Sequence, residues 1–301
     1  MSIEKFKEVI ETGYTVSGKY ITLGGAMYEG KAIANLFVNI PLKNLNRHGL
    51  IAGATGTGKT KTVPALTENL SKEGVPTLLM DLKGDLSGIA AIGEEKSFIK
   101  ESNSQINLPY TPEAFPVELL TISKQDGVRM RATVSEFGSV LLSRILDLSD
   151  VQEGVLAVVF KYCDDHQYPL LDLKDLKKVL QYATEEGKSE FESEYGRVAA
   201  SSTSAILRKI VELENQGAEL FFGERSFETE DLLHTDEKGR GVVNIIRLTD
   251  IQDRPKMFST FMLCLLAEIY NTFPEIGDQE KPKLVIFIDE AHMIFNQGSK
   301  A

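Results

Sequence analysis

The sequence predicts an α/β fold: a parallel central sheet carrying a phosphate-binding loop. Three observations lead there. Gly53-Ala54-Thr55-Gly56-Thr57-Gly58-Lys59-Thr60 fits G-x-x-x-x-G-K-[ST] and lies between an apolar run, 48–52, and a helical pattern from Lys59 to about Leu70. The run 284–288 is continuously apolar, the mark of a strand buried on both faces of a sheet, and it ends in Asp289-Glu290-Ala291-His292. After the loop and its helix comes a second apolar run at 75–81, so strand, helix and strand make one βαβ unit.

In chain order, residues 1–46 read as β-rich. Tyr20-Ile21-Thr22-Leu23 and the run 34–40 are strand-like, with turn signals at Gly24-Gly25 and Glu29-Gly30. The run 48–52 is the strand expected to lead into the loop, and the helix follows. Residues 75–81 form a second buried strand, ending in Asp81-Leu82-Lys83-Gly84-Asp85, which closes a βαβ unit. Residues 96–238 break this rhythm. The runs 116–122 and 128–134 read as a strand pair, and helical patterns follow at 150–163, 173–180 and 201–214, a mostly helical insertion. The sheet resumes at 241–248, a helix spans about 256–271, and the final strand is 284–288. The domain division expected is therefore a β-rich segment 1–46, a nucleotide-binding domain from 47–95 and 239–301, and the insertion between them.

The residue types dictate the chemistry. The glycines let the backbone curl until successive N–H groups point inward at phosphate oxygens, and the helix N-terminus adds partial positive charge. Ala54, Thr55, Gly56, Thr57, Gly58, Lys59, Thr60 and Lys61 form the expected cradle. Within it Lys59 reaches the β- and γ-phosphates and the Thr60 hydroxyl holds Mg²⁺. Asp289, closing a buried strand, is the Walker B acid of the metal shell, and Glu290 is placed to polarise an attacking water. ATP and Mg²⁺ are the cofactors this set calls for.

Composition bounds the partners. Of 301 residues, 42% are hydrophobic and 26% charged, ordinary for a globular chain. The net charge of −11 argues against a broad duplex-binding surface, although an acidic exterior can still enclose a basic channel. No apolar run approaches the ~20 residues that span a bilayer, and the N-terminus lacks the apolar core of a signal peptide. Cys163 and Cys264 lie far apart in apolar helical patterns and read as buried thiols of a reducing cytosol, so a cytoplasmic location is expected. The four histidines show no metal-ligand spacing.

Taken together, several stretches resemble the HerA–FtsK superfamily of ring-forming motor ATPases, and more closely its HerA-like branch of YjgR-type proteins. They are Asn46-Arg47-His48-Gly49 with the loop that follows, Asp81-Leu82-Lys83-Gly84-Asp85-Leu86-Ser87-Gly88, Arg131-Ala132-Thr133-Val134-Ser135-Glu136-Phe137-Gly138, Leu220-Phe221-Phe222-Gly223-Glu224, Gly239-Arg240-Gly241-Val242-Val243-Asn244 and Ile288-Asp289-Glu290-Ala291-His292. The resemblance implies a RecA-like P-loop NTPase domain that hydrolyses ATP, a homo-hexamer in the full-length protein with sites between subunits, and DNA as a candidate track. It leaves any nuclease or adaptor partner unnamed. It also implies roles in the site for Arg47, just before the loop, and Asp81, ending the second strand. As residues alone, these two read equally as a surface arginine and a strand-terminal acid.

The resemblance further implies elements past Ala301: a strand bearing a polar sensor between 50–53 and 284–288 in the sheet, and a trans-acting arginine. The expectation is that 1–301 is the N-terminal part of a longer protein and is marginal or inactive alone as a motor even where it binds nucleotide. Two other classes compete. One is a nucleotide-dependent assembly or scaffold protein without motor activity. The other is a GTPase-type switch, since Asp81-Leu82-Lys83-Gly84 fits D-x-x-G and Ser123-Lys124-Gln125-Asp126 loosely fits a guanine-reading loop.

Overall fold

The computed structural model describes residues 1–54, 56–251, 253–273, 277 and 279–289. In chain order its elements are α1 (Ile3–Tyr14), β1 (Tyr20–Tyr28), β2 (Lys31–Pro41), α2 (Lys59–Lys72), β3 (Thr77–Asp81), α3 (Ser97–Ile106), β4 (Val117–Thr121), β5 (Val128–Arg129), α4 (Val134–Ile145), α5 (Asp150–Asp165), α6 (Leu173–Tyr182), α7 (Lys188–Glu194), α8 (Ala200–Asn215), β6 (Val243–Arg247), α9 (Pro255–Thr272) and β7 (Val285–Phe287). The central sheet has five strands in the order β5-β4-β6-β3-β7. Its pairings are parallel where the register is defined: Thr77 to Leu79 face Val285 to Phe287, and Leu120-Thr121 face Val128-Arg129. The chain is thus α/β with a RecA-like parallel sheet, as the apolar runs imply.

Two compact units emerge. The first comprises Met1–Leu119, Glu230–Ile245 and the segment carrying β7. β1 and β2 form an antiparallel hairpin whose turn residues Glu29 and Gly30 both have positive φ, the conformation a two-residue hairpin turn requires. Ahead of the hairpin lies α1, a helix where the sequence reads as β-rich. It starts because Ser2 caps it, accepting from the Lys5 N–H. Every residue of β3 is buried, and Leu79 packs with Leu86, Ile89, Phe115, Val243 and Ile245. A second cluster, Ile21, Leu42, Leu70 and Val75, seats the hairpin and the far end of α2.

That far end is tightly tied. Gly74, at φ +71°, turns the chain out of the helix, and the Lys281 ammonium donates to the carbonyls of Glu73 (3.2 Å) and Gly74 (2.9 Å). A lysine on the last carbonyls of a helix satisfies orphan acceptors and opposes the negative end of its dipole. Gly241 lies against the same corner. A Cβ there would stand 2.2 Å from the Val75 carbonyl group, so only glycine fits. Its N–H donates to Ser71 O (2.8 Å) and its carbonyl accepts from the Ser71 hydroxyl (2.6 Å).

The second unit comprises Leu120–Thr229 and the segment carrying α9. It is mostly helical: α4 packs on α5 and α9, and α8 on α5 and α6. Thr133 and Glu136 form a reciprocal capping box at the start of α4. Arg225 draws together Glu136 (3.1 Å), Glu228 (2.7 Å) and Glu268 (2.8 Å). Burial pushes the Cys163 thiol up to about 11 and the Cys264 thiol to about 12. Among the described residues, no helix is long and apolar enough to cross a membrane.

One expected element is missing. Residues 48–54 have no regular secondary structure, and Leu50 is 88% exposed. A strand exists only where a neighbour accepts and donates its ladder bonds. The described sheet ends at β7, with no strand on its free side, so an apolar run of the right composition has nothing to pair with.

Candidate nucleotide site

The loop before α2 is wound by its own side chains. Gly56 and Gly58 adopt φ of +82° and +96°, which β-carbon-bearing residues rarely reach. Gly53 lies close against the loop's own side chains: a Cβ there would stand 2.4 Å from the Thr57 hydroxyl, which would have to move. That hydroxyl and the Thr57 N–H both donate to Ala54 O, at 2.7 and 3.3 Å. The Gly58 carbonyl accepts from Lys61 N (2.9 Å) and Thr62 N (3.0 Å), starting the helix.

What remains unpaired defines the chemistry. The N–H groups of Gly58, Lys59 and Thr60 have no acceptor among the described residues, and neither does the Thr60 hydroxyl. Lys59 is half-buried. Its ammonium donates to the carbonyls of Gly53 and Ala54, the latter at 3.0 Å, which leaves one of its three hydrogens for a ligand. Donors converging at a helix N-terminus, with an ammonium above them, fit a polyphosphate.

The other expected residues fall out as follows. Asp81 is 2% exposed, and its carboxylate accepts from Gly84 N (2.7 Å) and Leu86 N (3.4 Å), closing the turn after β3. Arg47 is exposed and has no hydrogen-bond or ion-pair partner among the described residues. Its neighbour Asn46 ties the approach to the loop, donating to Gln279 O at 2.6 Å. Asp289 is half-buried, two residues beyond β7. Thr55 and Glu290 lie outside the described residues. Ser123, Gln125 and Asp126 are used locally. Asp250 accepts from Ser123 (2.8 Å) and Gln125 (2.9 Å), and the Asp126 carbonyl accepts from Arg247 (3.0 Å). These bonds engage the Ser123 and Gln125 side chains and the Asp126 main chain, but not the Asp126 carboxylate.

Sequence reasoning missed Lys281, Arg225 and the glycine at 241 as organisers. Arg225 and Glu136 are 89 positions apart, and Lys281 and Glu73 are 208 apart, so no local pattern announces them.

A family model described as "Helicase HerA-like C-terminal" matches residues 29–301. The chain belongs to the HerA-like helicase C-terminal family. This is a group of ATPase-type P-loop motor proteins, and the loop and the parallel sheet described above accord with it. Among solved structures, the fold is similar to the plasmid coupling protein TrwB in complex with the ATP analogue ADPNP. The TM-score is 0.56 and the identity 16%, over 98% of this chain and 65% of that one. The unbound bacterial conjugative coupling protein TrwBdeltaN70 gives 0.52 and 14%, over 96% and 63%. A fainter likeness, TM-score 0.45 at 15% identity over 93% and 70%, is to VirB4 of Thermoanaerobacter pseudethanolicus. The chain therefore spans just under two thirds of the length of the two coupling-protein structures. No curated protein matches it.

Proposed function

We propose that this chain is the ATP-binding and ATP-hydrolysing motor domain of a HerA-like DNA translocase or helicase, working as a homo-hexamer. The observation that carries the reading is the set of unpaired Gly58, Lys59 and Thr60 N–H groups beneath the Lys59 ammonium. The ADPNP held by TrwB, which has the same fold, supports ATP as the nucleotide.

Roles follow from the residue chemistry. The Ala54–Lys61 backbone binds and orients the phosphates, and Lys59 neutralises charge on the β- and γ-groups. Thr60, whose hydroxyl is unengaged, and Asp289 would hold Mg²⁺, which when bound supplies Lewis-acid neutralisation of the phosphate oxygens. Glu290 accepts a proton from the attacking water. Asp81 orders the turn beside the site. Arg47 contributes positive charge near the phosphates of its own or a neighbouring subunit.

The test is Mg²⁺-dependent ATP turnover, with and without duplex DNA, for this chain and for a version extended past Ala301. Lys59→Ala and Glu290→Gln serve as controls. Turnover only in the extended form, raised by DNA and lost in both variants, with nucleotide binding retained only by Glu290→Gln, is the expected result. Turnover indifferent to DNA in both lengths would remove the DNA track. Nucleotide-driven oligomerisation without turnover would favour an assembly role.

A further inference from the structure

We propose that the groove between β1 and α2 receives the nucleoside end of the bound nucleotide, gripping it by apolar contact with little discrimination between adenine and guanine. This rests on the phosphate site above. The groove has a volume of about 250 Å³ and is lined by Thr22, Leu23, Lys61, Thr62, Ala65 and Leu66, an open cleft smaller than the sites that enclose whole drug-sized ligands.

Its position is the first argument. Lys61 is both the last residue of the phosphate cradle and the first of the groove wall. Along α2 the wall then runs through Thr62, Ala65 and Leu66, positions that share one side of a helix. From Thr60 to Leu66 the helix rises roughly 9 Å, the direction and reach of a ribose and base leaving a phosphate held at the helix start.

Its chemistry is the second. The β1–β2 pairing shifts register between Thr22 and Gly24. Such an irregularity re-aims a side chain, and Leu23 is left 45% exposed at the groove wall. Leu23, Ala65 and Leu66 give a flat ring an apolar surface.

The polar groups are largely committed. The Thr22 hydroxyl donates to Asn39 (2.8 Å) and the Thr62 hydroxyl to Gly58 O (3.1 Å). The lining offers no carboxylate or amide to read a purine edge, and strong selection between bases requires such fixed groups. The Lys61 ammonium reads charge, which both nucleotides share.

Calorimetric titration of the 301-residue chain with ATP, GTP and inorganic tripolyphosphate tests this, using Leu23→Asp, Ala65→Gln and Lys59→Ala. Circular dichroism and melting midpoints report whether each variant folds. Ala65 is exposed on α2 and glutamine is a good helix former, so that variant fills the groove at little cost to the helix. Expected are ATP and GTP affinities within about tenfold of each other, a loss of about tenfold or more for both in the two groove variants, and unchanged tripolyphosphate affinity. If both groove variants bind ATP normally while Lys59→Ala weakens all three ligands, the groove assignment is wrong and the phosphate site stands. If Lys59→Ala changes none of them, the phosphate site fails and the groove with it. An ATP-to-GTP ratio beyond about a hundredfold would overturn the weak discrimination.

Discussion

The loop at 53–58 and the corner at Gly241 are both built from glycines and backbone hydrogen bonds, yet they are opposites. At the corner the main-chain groups are paired: Ser71 and Gly241 exchange two bonds, Asn244 donates to Thr77 O and Leu232 O at 3.2 Å each, and Arg240 pairs with Asp236 and reaches Ala114 O, while the Asn244 Oδ1 and the Thr77 hydroxyl lie buried without a partner among the described residues. At the loop, three N–H groups and a hydroxyl are left over, and the apolar residues leading to it face solvent. A satisfied backbone stabilises and an unsatisfied one binds. Glycine serves the first by allowing close approach and the second by allowing positive φ.

The comparison breaks most sharply at Gly241. Gly241→Ala forces a methyl into Val75 and Pro76, and is expected to cost about 3 kcal/mol, at the upper end of overpacking effects, read as a lowered urea midpoint. Asp81 stands between the two regions. Asp81→Ala strands two N–H groups, one of them in the buried turn, and is expected to cost about 2 kcal/mol. Asp81→Asn keeps an acceptor and recovers much of that loss. If it recovers stability but not ATP turnover, Asp81 belongs to the site as well as to the turn.

Ser71→Ala deletes the bond to Gly241 O and should cost about 1 kcal/mol by the same assay. The loop should barely register. Leu50→Ser is expected to change stability by less than about 0.5 kcal/mol, since that side chain is already in water. Lys59→Ala should be similarly mild in stability while weakening tripolyphosphate binding in calorimetry by about tenfold or more.

What was legible in the sequence divides along the same line. β3, β6 and the long helices α5, α8 and α9 follow from apolar period and length, because each buries the face its pattern marks. The loop is legible because its geometry is local: two glycines at positive φ and a lysine five or six residues beyond its carbonyl partners. The strand at 48–52 was misread because strand formation depends on a neighbour, which composition cannot supply. α1 was overlooked although Ser2 stands at its N-cap and Glu4 in its first turn. The stretches Arg131–Gly138 and Gly239–Asn244, quoted above for the resemblance alone, have fold roles: Thr133 and Glu136 cap α4, and Gly241 permits close approach. Their partners lie far off in sequence, which hides the reason for their identity.

Lys281 extends this logic from statics to motion. Its side chain grips the terminal carbonyls of α2, and its main chain leads within four residues into β7. The helix that begins at the phosphates and the strand that ends before Asp289 are thereby coupled by a strut at the end remote from the nucleotide. Were α2 to tilt on ligand binding, this strut is the contact through which the root of β7 would feel it.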